Sequence, residues 1–182
     1  MEAIVQKGLK PQDTDYEATY ALDSEKREFK RDMGWFGKYC FPKALAKDTP
    51  PFHRDIYKQL KNDDTKRVLI AAPRGTAKST VCSLIFPLYK IAYKKPEEDL
   101  FIVVVSESQA QSVNFLSRIK YHLEHSDNFK HIFGDFSSTT AKRWTGADII
   151  LKNGTRIVAV GTGQRVRGFI EGDTRPNVII VD

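Results

Sequence analysis

An α/β fold with a mainly parallel central sheet flanked by helices is predicted for this chain by three observations. The apolar run Val68-Leu69-Ile70-Ala71 breaks into a Pro/Gly turn and then a helix start at Lys78-Ser79-Thr80. A second run, Phe101-Ile102-Val103-Val104-Val105, leads into a helical pattern, and a third, Val178-Ile179-Ile180-Val181, ends in Asp182. Continuous apolar runs alternating with helical periodicity are what parallel strands covered on both faces require. At 182 residues the chain is long enough for one well-buried core.

Residues 1–22 carry scattered charge with little periodicity and are expected to form a mobile arm; residues 23–182 form the domain. Asp23-Ser24 can cap a helix over Glu25 to Tyr39, whose Phe29, Met33, Trp35 and Phe36 are expected in the core. Pro50-Pro51-Phe52 starts a short helix ending near Leu60, and Lys61-Asn62-Asp63-Asp64-Thr65 makes a polar turn into the first strand, Val68 to Ala71. The helix from Ser79 to Tyr93 has Val81, Leu84, Ile85, Leu88 and Ile91 on its apolar face, and Pro87 should kink or shorten it. After the 101–105 strand, Ser106 and Ser108 stand where open α/β sheets place ligand contacts, and either can instead cap the helix carrying Val113, Leu116, Ile119 and Leu123. From Phe129 to Thr145 periodicity is lost and an irregular segment is expected. Ile149 to Leu151 and Arg156 to Val160 flank Asn153-Gly154, a hairpin signal inserted before the last strand.

The segment Ala72-Pro73-Arg74-Gly75-Thr76-Ala77-Lys78-Ser79-Thr80 has the makings of a phosphate-binding loop. A phosphate chain needs inward backbone N–H groups, a helix N-terminus, a flexible cation and a hydroxyl for Mg²⁺. Lys78 supplies the cation and Ser79 the hydroxyl. Ala72 and Ala77 replace the two glycines of the G-x-x-x-x-G-K-[ST] pattern, while Gly75 keeps a positive φ accessible. Ala77 places a methyl beside the phosphates, which requires a helical backbone there and could weaken nucleotide affinity. A strand, basic turn and helix start with no ligand would read similarly.

Asp182, ending a buried strand beside the loop strand, can reach the metal held by Ser79. Loop and aspartate together indicate a P-loop nucleotide triphosphatase of the RecA-like class, with ATP and Mg²⁺ as cofactors. Phe52, His53 and Arg54, just upstream, are candidates for adenine stacking and edge hydrogen bonds, or for ordinary packing. A hydrolysing motor of this class carries a glutamate just after the metal aspartate. None follows Asp182, so the expectation is an incomplete domain, stopping at its Walker B strand, that binds nucleotide and hydrolyses it poorly.

The formal net charge of +6 favours an anionic partner such as DNA or RNA, although basic runs are also ordinary solvated faces. No stretch approaches eighteen apolar residues and the N-terminus lacks a signal-peptide core, so a cytosolic protein with no membrane partner is expected. Cys40 and Cys82 have no metal-ligand spacing and are expected to be reduced thiols.

Taken together, several blocks resemble the large terminase subunit of tailed bacteriophages, in its N-terminal ATPase domain. They are Pro73-Arg74-Gly75 with Lys78-Ser79-Thr80; Phe36 to Arg54, including Tyr39-Cys40-Phe41-Pro42 and Pro51-Phe52-His53; Val166-Arg167-Gly168 after the hairpin; and Arg175-Pro176-Asn177 leading to Asp182. The resemblance covers most of the chain after residue 36, and Ala77 departs from it. It implies ATP-driven translocation of double-stranded DNA into a procapsid by a homo-oligomeric ring, in the host cytoplasm, with a portal protein and a small terminase subunit as partners. It further implies that Lys78 holds the β/γ-phosphates, Ser79 and Asp182 the metal, and Arg74 the γ-phosphate or a neighbouring acidic residue. Arg167 would be an arginine finger, or simply a loop arginine. Family members continue into a nuclease domain, which nothing here carries. The first motor domain of a DNA helicase, and a non-hydrolysing nucleotide- or DNA-binding module, are the alternative readings.

Overall fold

The computed structural model describes residues 11–47, 49–62, 64, 66–164 and 174–182. Helix α1, Pro11–Arg31, starts within the stretch expected to be an arm and ends on Lys30 and Arg31, whose charges oppose the helix dipole. Asp32 then leaves helical space (φ −125°, ψ 98°). Its carboxylate accepts from the backbone N–H groups of Gly34 at 2.8 Å and Trp35 at 3.0 Å, capping helix α2, Met33–Cys40. The single helix expected over Glu25–Tyr39 is therefore two. Phe29, Met33 and Phe36 are buried as expected, but Trp35 is 49% exposed.

Helix α3, Pro51–Lys61, has proline in its first turn and buries His53, Ile56 and Tyr57. It packs on α2 where Gly34 has no side chain: a Cβ there would lie 2.8 Å from Tyr57 Cε2. After the loop, helix α4, Lys78–Thr80, passes through a π-helical stretch, Val81–Ile85, into helix α5, Phe86–Ala92. Pro87 lacks an N–H and its ring crowds the carbonyl four residues back, that of Ser83. The wider π turn, in which Phe86 N–H donates to Val81 O, absorbs this without ending the helix.

The sheet has five strands in the order β2-β3-β4-β1-β5. Strands β1, Phe101–Ser106, β4, Arg156–Gly161, and β5, Val178–Val181, run parallel, with Val103 opposite Val158 and Ile179. Strands β2, Arg143–Trp144, and β3, Asp148–Ile150, are antiparallel additions. The sheet is thus mixed rather than mainly parallel. Asn153-Gly154 does make the β3–β4 turn, with Gly154 at φ 82° and Asn153 Oδ1 accepting from Thr155 N–H at 3.1 Å.

Helix α6, Gln109–His125, is capped by Ser108, and helix α7, Asp127–Phe133, by Ser126. Helix α7 occupies the start of the segment expected to be irregular. Its signal is only Phe129 and Ile132, both buried, too short to show a period. Ile102, Val104, Ile157 and Ala159 face the main core of Phe36, Leu84, Leu116 and Phe129, while Phe101, Val103, Val105, Val158 and Val160 form a second cluster. No helix among the described residues is long and apolar enough to cross a membrane.

Two strand expectations are corrected. Val68 to Ala71 forms no strand, and Leu69 is 96% exposed. An apolar run becomes a strand only where a ladder receives its N–H and C=O groups, and this run lies across a groove from β5 instead of pairing with it. In consequence β5 is an edge strand, with Ile179 at 56% and Val181 at 73% exposure, not a buried one.

Candidate functional site

Three pieces of backbone converge at the carboxyl ends of β1 and β5: Ser106, Asp182, and the loop leading into α4. Ladder geometry fixes the first two, since Asp182 N–H donates to Val105 O at 3.0 Å and Ser106 Oγ donates to the Asp182 carbonyl at 2.6 Å. The Asp182 carboxylate is thereby aimed at the helix after the loop. Ser79 Oγ donates to Oδ1 at 2.9 Å, and Ser83 Oγ donates to Oδ2 at 2.5 Å.

The loop is bonded to itself at both ends. Thr76 Oγ1 donates to Pro73 O at 2.7 Å, and Lys78 Nζ to Ala72 O at 3.0 Å. Gly75 has φ 82°, as expected for the turn. Ala77 has φ 57° and ψ 21°, left-handed rather than the right-handed helical backbone its methyl was expected to need. That conformation is why a glycine belongs at this position: the Cβ approaches the following carbonyl. Val81 N–H then donates to Ala77 O at 3.0 Å, the first bond of the helix.

Of the three upstream candidates, His53 is the one whose hydrogen bond to the loop is seen among the described residues. It is 4% exposed, and its Nε2 lies 2.7 Å from Thr76 O. A carbonyl only accepts, so Nε2 carries the proton and donates. Phe52 stands edge-on to His53 with ring centroids 4.6 Å apart, whereas Arg54 lines a separate shallow groove with Arg31, Lys58 and Lys61. Pro73 and Arg74 are exposed, and Thr80 is partly buried at the end of α4. Arg167 lies outside the described residues.

A groove of about 660 Å³ runs from Lys78 and Asp182 along the free edge of β5, walled by Val68, Ile70, Cys82 and Phe86. Burial pushes the Cys82 thiol up to about 11, and the Asp182 charge adds to this while Lys78 opposes it. Burial raises Cys40 to about 12, with Glu25 contributing. Both cysteines are free, as expected, and neither is an activated nucleophile.

Among the described residues no group of three or more His, Cys, Asp or Glu side chains could hold a metal ion. One carboxylate beside one hydroxyl does suit Mg²⁺, which takes one or two protein oxygens and completes its octahedron with phosphate oxygens and water. Ser79 already gives its single proton to Asp182, so its lone pairs remain for a cation. The pair would suit a Mg²⁺ ion that takes the rest of its shell from water or phosphate oxygens.

Sequence reasoning missed Ser83 and the role of Ser106. Ser83 stands four residues after Ser79, one helical turn on and on the same face, which was a usable signal. Ser106 was singled out, but its bond to a distant backbone carbonyl has no local signature; the capping function belongs to Ser108. The chain matches no protein-family profile and no curated protein.

Proposed function

We propose that this chain is a P-loop nucleotide-binding domain that takes ATP with Mg²⁺, and that it serves as the ATPase portion of a DNA-packaging motor of the large terminase type. The first part is carried by the hydrogen bond of Ser79 to Asp182 at 2.9 Å, which joins the loop hydroxyl to a strand-end carboxylate across 103 residues. The second part rests on the resemblance of the Arg74 loop and the 175–182 block, together with the net charge of +6.

In this reading Lys78 exchanges its bond to Ala72 O for the β- and γ-phosphate oxygens, and Ser79 and Asp182 hold the metal. Bound Mg²⁺ supplies neutralisation of phosphate charge. The N–H groups from Gly75 to Ser79 wrap the phosphates, and His53 steadies the loop through Thr76. Arg74, exposed in the loop, would meet a terminal phosphate or a neighbouring acidic group.

Calorimetry with ATP and Mg²⁺ tests the reading. Binding by the wild type and its loss by about tenfold or more in Lys78→Ala is expected, the size of one charge-assisted contact. No binding by the wild type would sink it. The left-handed Ala77 favours one second reading, a DNA-binding module that does not hydrolyse nucleotide; it requires duplex affinity that falls with salt and ignores ATP.

A further inference from the structure

We propose that Ser83 is a positioning residue for the metal-facing carboxylate of Asp182, an inference that rests on the nucleotide–magnesium reading above. Ser83 is fully buried, so it cannot touch a ligand itself. Its Oγ nevertheless donates to Asp182 Oδ2 at 2.5 Å while Ser79 holds Oδ1 at 2.9 Å. The two serines, a turn apart on one helix face, grip the two oxygens of one carboxylate.

That grip has a chemical consequence. The terminal torsion of an aspartate is broad, so an unheld carboxylate samples many orientations. Fixing Oδ2 against the helix keeps Oδ1 toward Ser79, whose hydroxyl proton is thereby committed and whose lone pairs point away from Asp182. The pair is set for a cation before one arrives. Backbone bonds complete the hold, through Asp182 N–H to Val105 O at 3.0 Å and Ser106 Oγ to Asp182 O at 2.6 Å. Ser83 also lies at the centre of the π-helical stretch Val81–Ile85, a rare geometry that recurs at functional sites.

The experiment compares binding of a fluorescent ATP analogue with Mg²⁺ and with chelator, in wild type, Ser83→Ala, Asp182→Asn and the double variant. Mn²⁺ electron paramagnetic resonance reports metal seating directly. In Ser83→Ala the gain in affinity conferred by Mg²⁺ should fall about 10- to 100-fold, the range for losing an outer partner of a metal ligand. Metal-free affinity should stay unchanged, and the Asp182→Asn background should show no further loss. Parallel weakening with and without metal, or an undiminished Mg²⁺ gain, would overturn the inference while leaving the nucleotide reading intact. Absence of a Mg²⁺ gain in the wild type would overturn both. Should Ser83→Ala fail to fold, Ser83→Cys keeps the volume with a weaker donor and must also show a reduced gain; a full gain overturns the inference.

Discussion

Ser79 and Asp182, 103 residues apart in the chain, share a hydrogen bond of 2.9 Å that ties helix α4 to the end of the edge strand β5. Ser83 adds a bond to the second oxygen from a fully buried position. Losing the carboxylate, which ends both bonds, should cost more than losing the Ser79 hydroxyl alone. Asp182→Ala strands the Ser83 hydroxyl without an acceptor and should cost about 1–3 kcal/mol, whereas Ser79→Ala, at a partly exposed site, should cost less. Urea unfolding of the two variants checks the order; equal losses would count against the buried bond.

Ala77 is the one non-glycine among the described residues with positive φ. The left-handed backbone costs alanine roughly 1–2 kcal/mol, and glycine returns about 0.4–1 kcal/mol of that through its freer unfolded chain. Ala77→Gly should therefore stabilise the protein by about 0–1.6 kcal/mol and, on the proposed reading, tighten nucleotide binding by removing the methyl. A lower urea midpoint in the glycine variant would contradict the assigned conformation.

His53 holds Thr76 O from beneath the loop. In His53→Phe the ring volume stays and the donor is lost. Amide hydrogen exchange at Gly75 to Lys78 should quicken while exchange in β1 remains slow. His53→Gln, which keeps a donor, should restore part of the protection.

His122, edge-on to Phe41 with ring centroids 5.1 Å apart, has its pKa lowered below 6.5 by burial first, then by the charges of Arg118 and His125. The unfolded chain therefore takes up this proton at a higher pH than the folded one. Stability should decline as pH falls through about 6.5 and level off below the folded value. His122→Gln should remove that part of the slope in thermal midpoints measured from pH 8 to 5.

The raised Cys82 and Cys40 thiols should alkylate slowly at neutral pH, Cys40 more slowly because it is buried. Mass spectrometry after iodoacetamide treatment at pH 7 and pH 9 checks this; rapid labelling of Cys82 at pH 7 would be inconsistent with its burial.

Much of the scaffold is legible in local sequence. Phe101 to Val105 read as a strand because a short unbroken run of one aromatic and four β-branched residues suits a strand buried on both faces. Asn153-Gly154 announced its turn, and Val178 to Asp182 its strand end. The helix break at Asp32 was readable in principle as a cap, but Trp35-Phe36 continued the apolar pattern through it and masked the boundary. Helix α7 was hidden because two apolar residues do not make a period.

The expectation of a phosphate-binding loop, by contrast, rests on residue type and order alone: a lysine, a hydroxyl and a glycine between an apolar run and a helix suggest it with no knowledge of distant contacts. Everything that depends on pairing lay beyond that reach. Val68 to Ala71 is as apolar as a buried strand, yet whether it enters the sheet depends on which neighbour offers a free ladder, and here it stays across the groove from β5. The second oxygen of Asp182 finds Ser83 only because β5 lies beside β1 in a register that points the strand end at the π-helical turn. Local propensity is set within a few residues, but a hydrogen bond across 99 residues exists only once the sheet order has brought its two ends together.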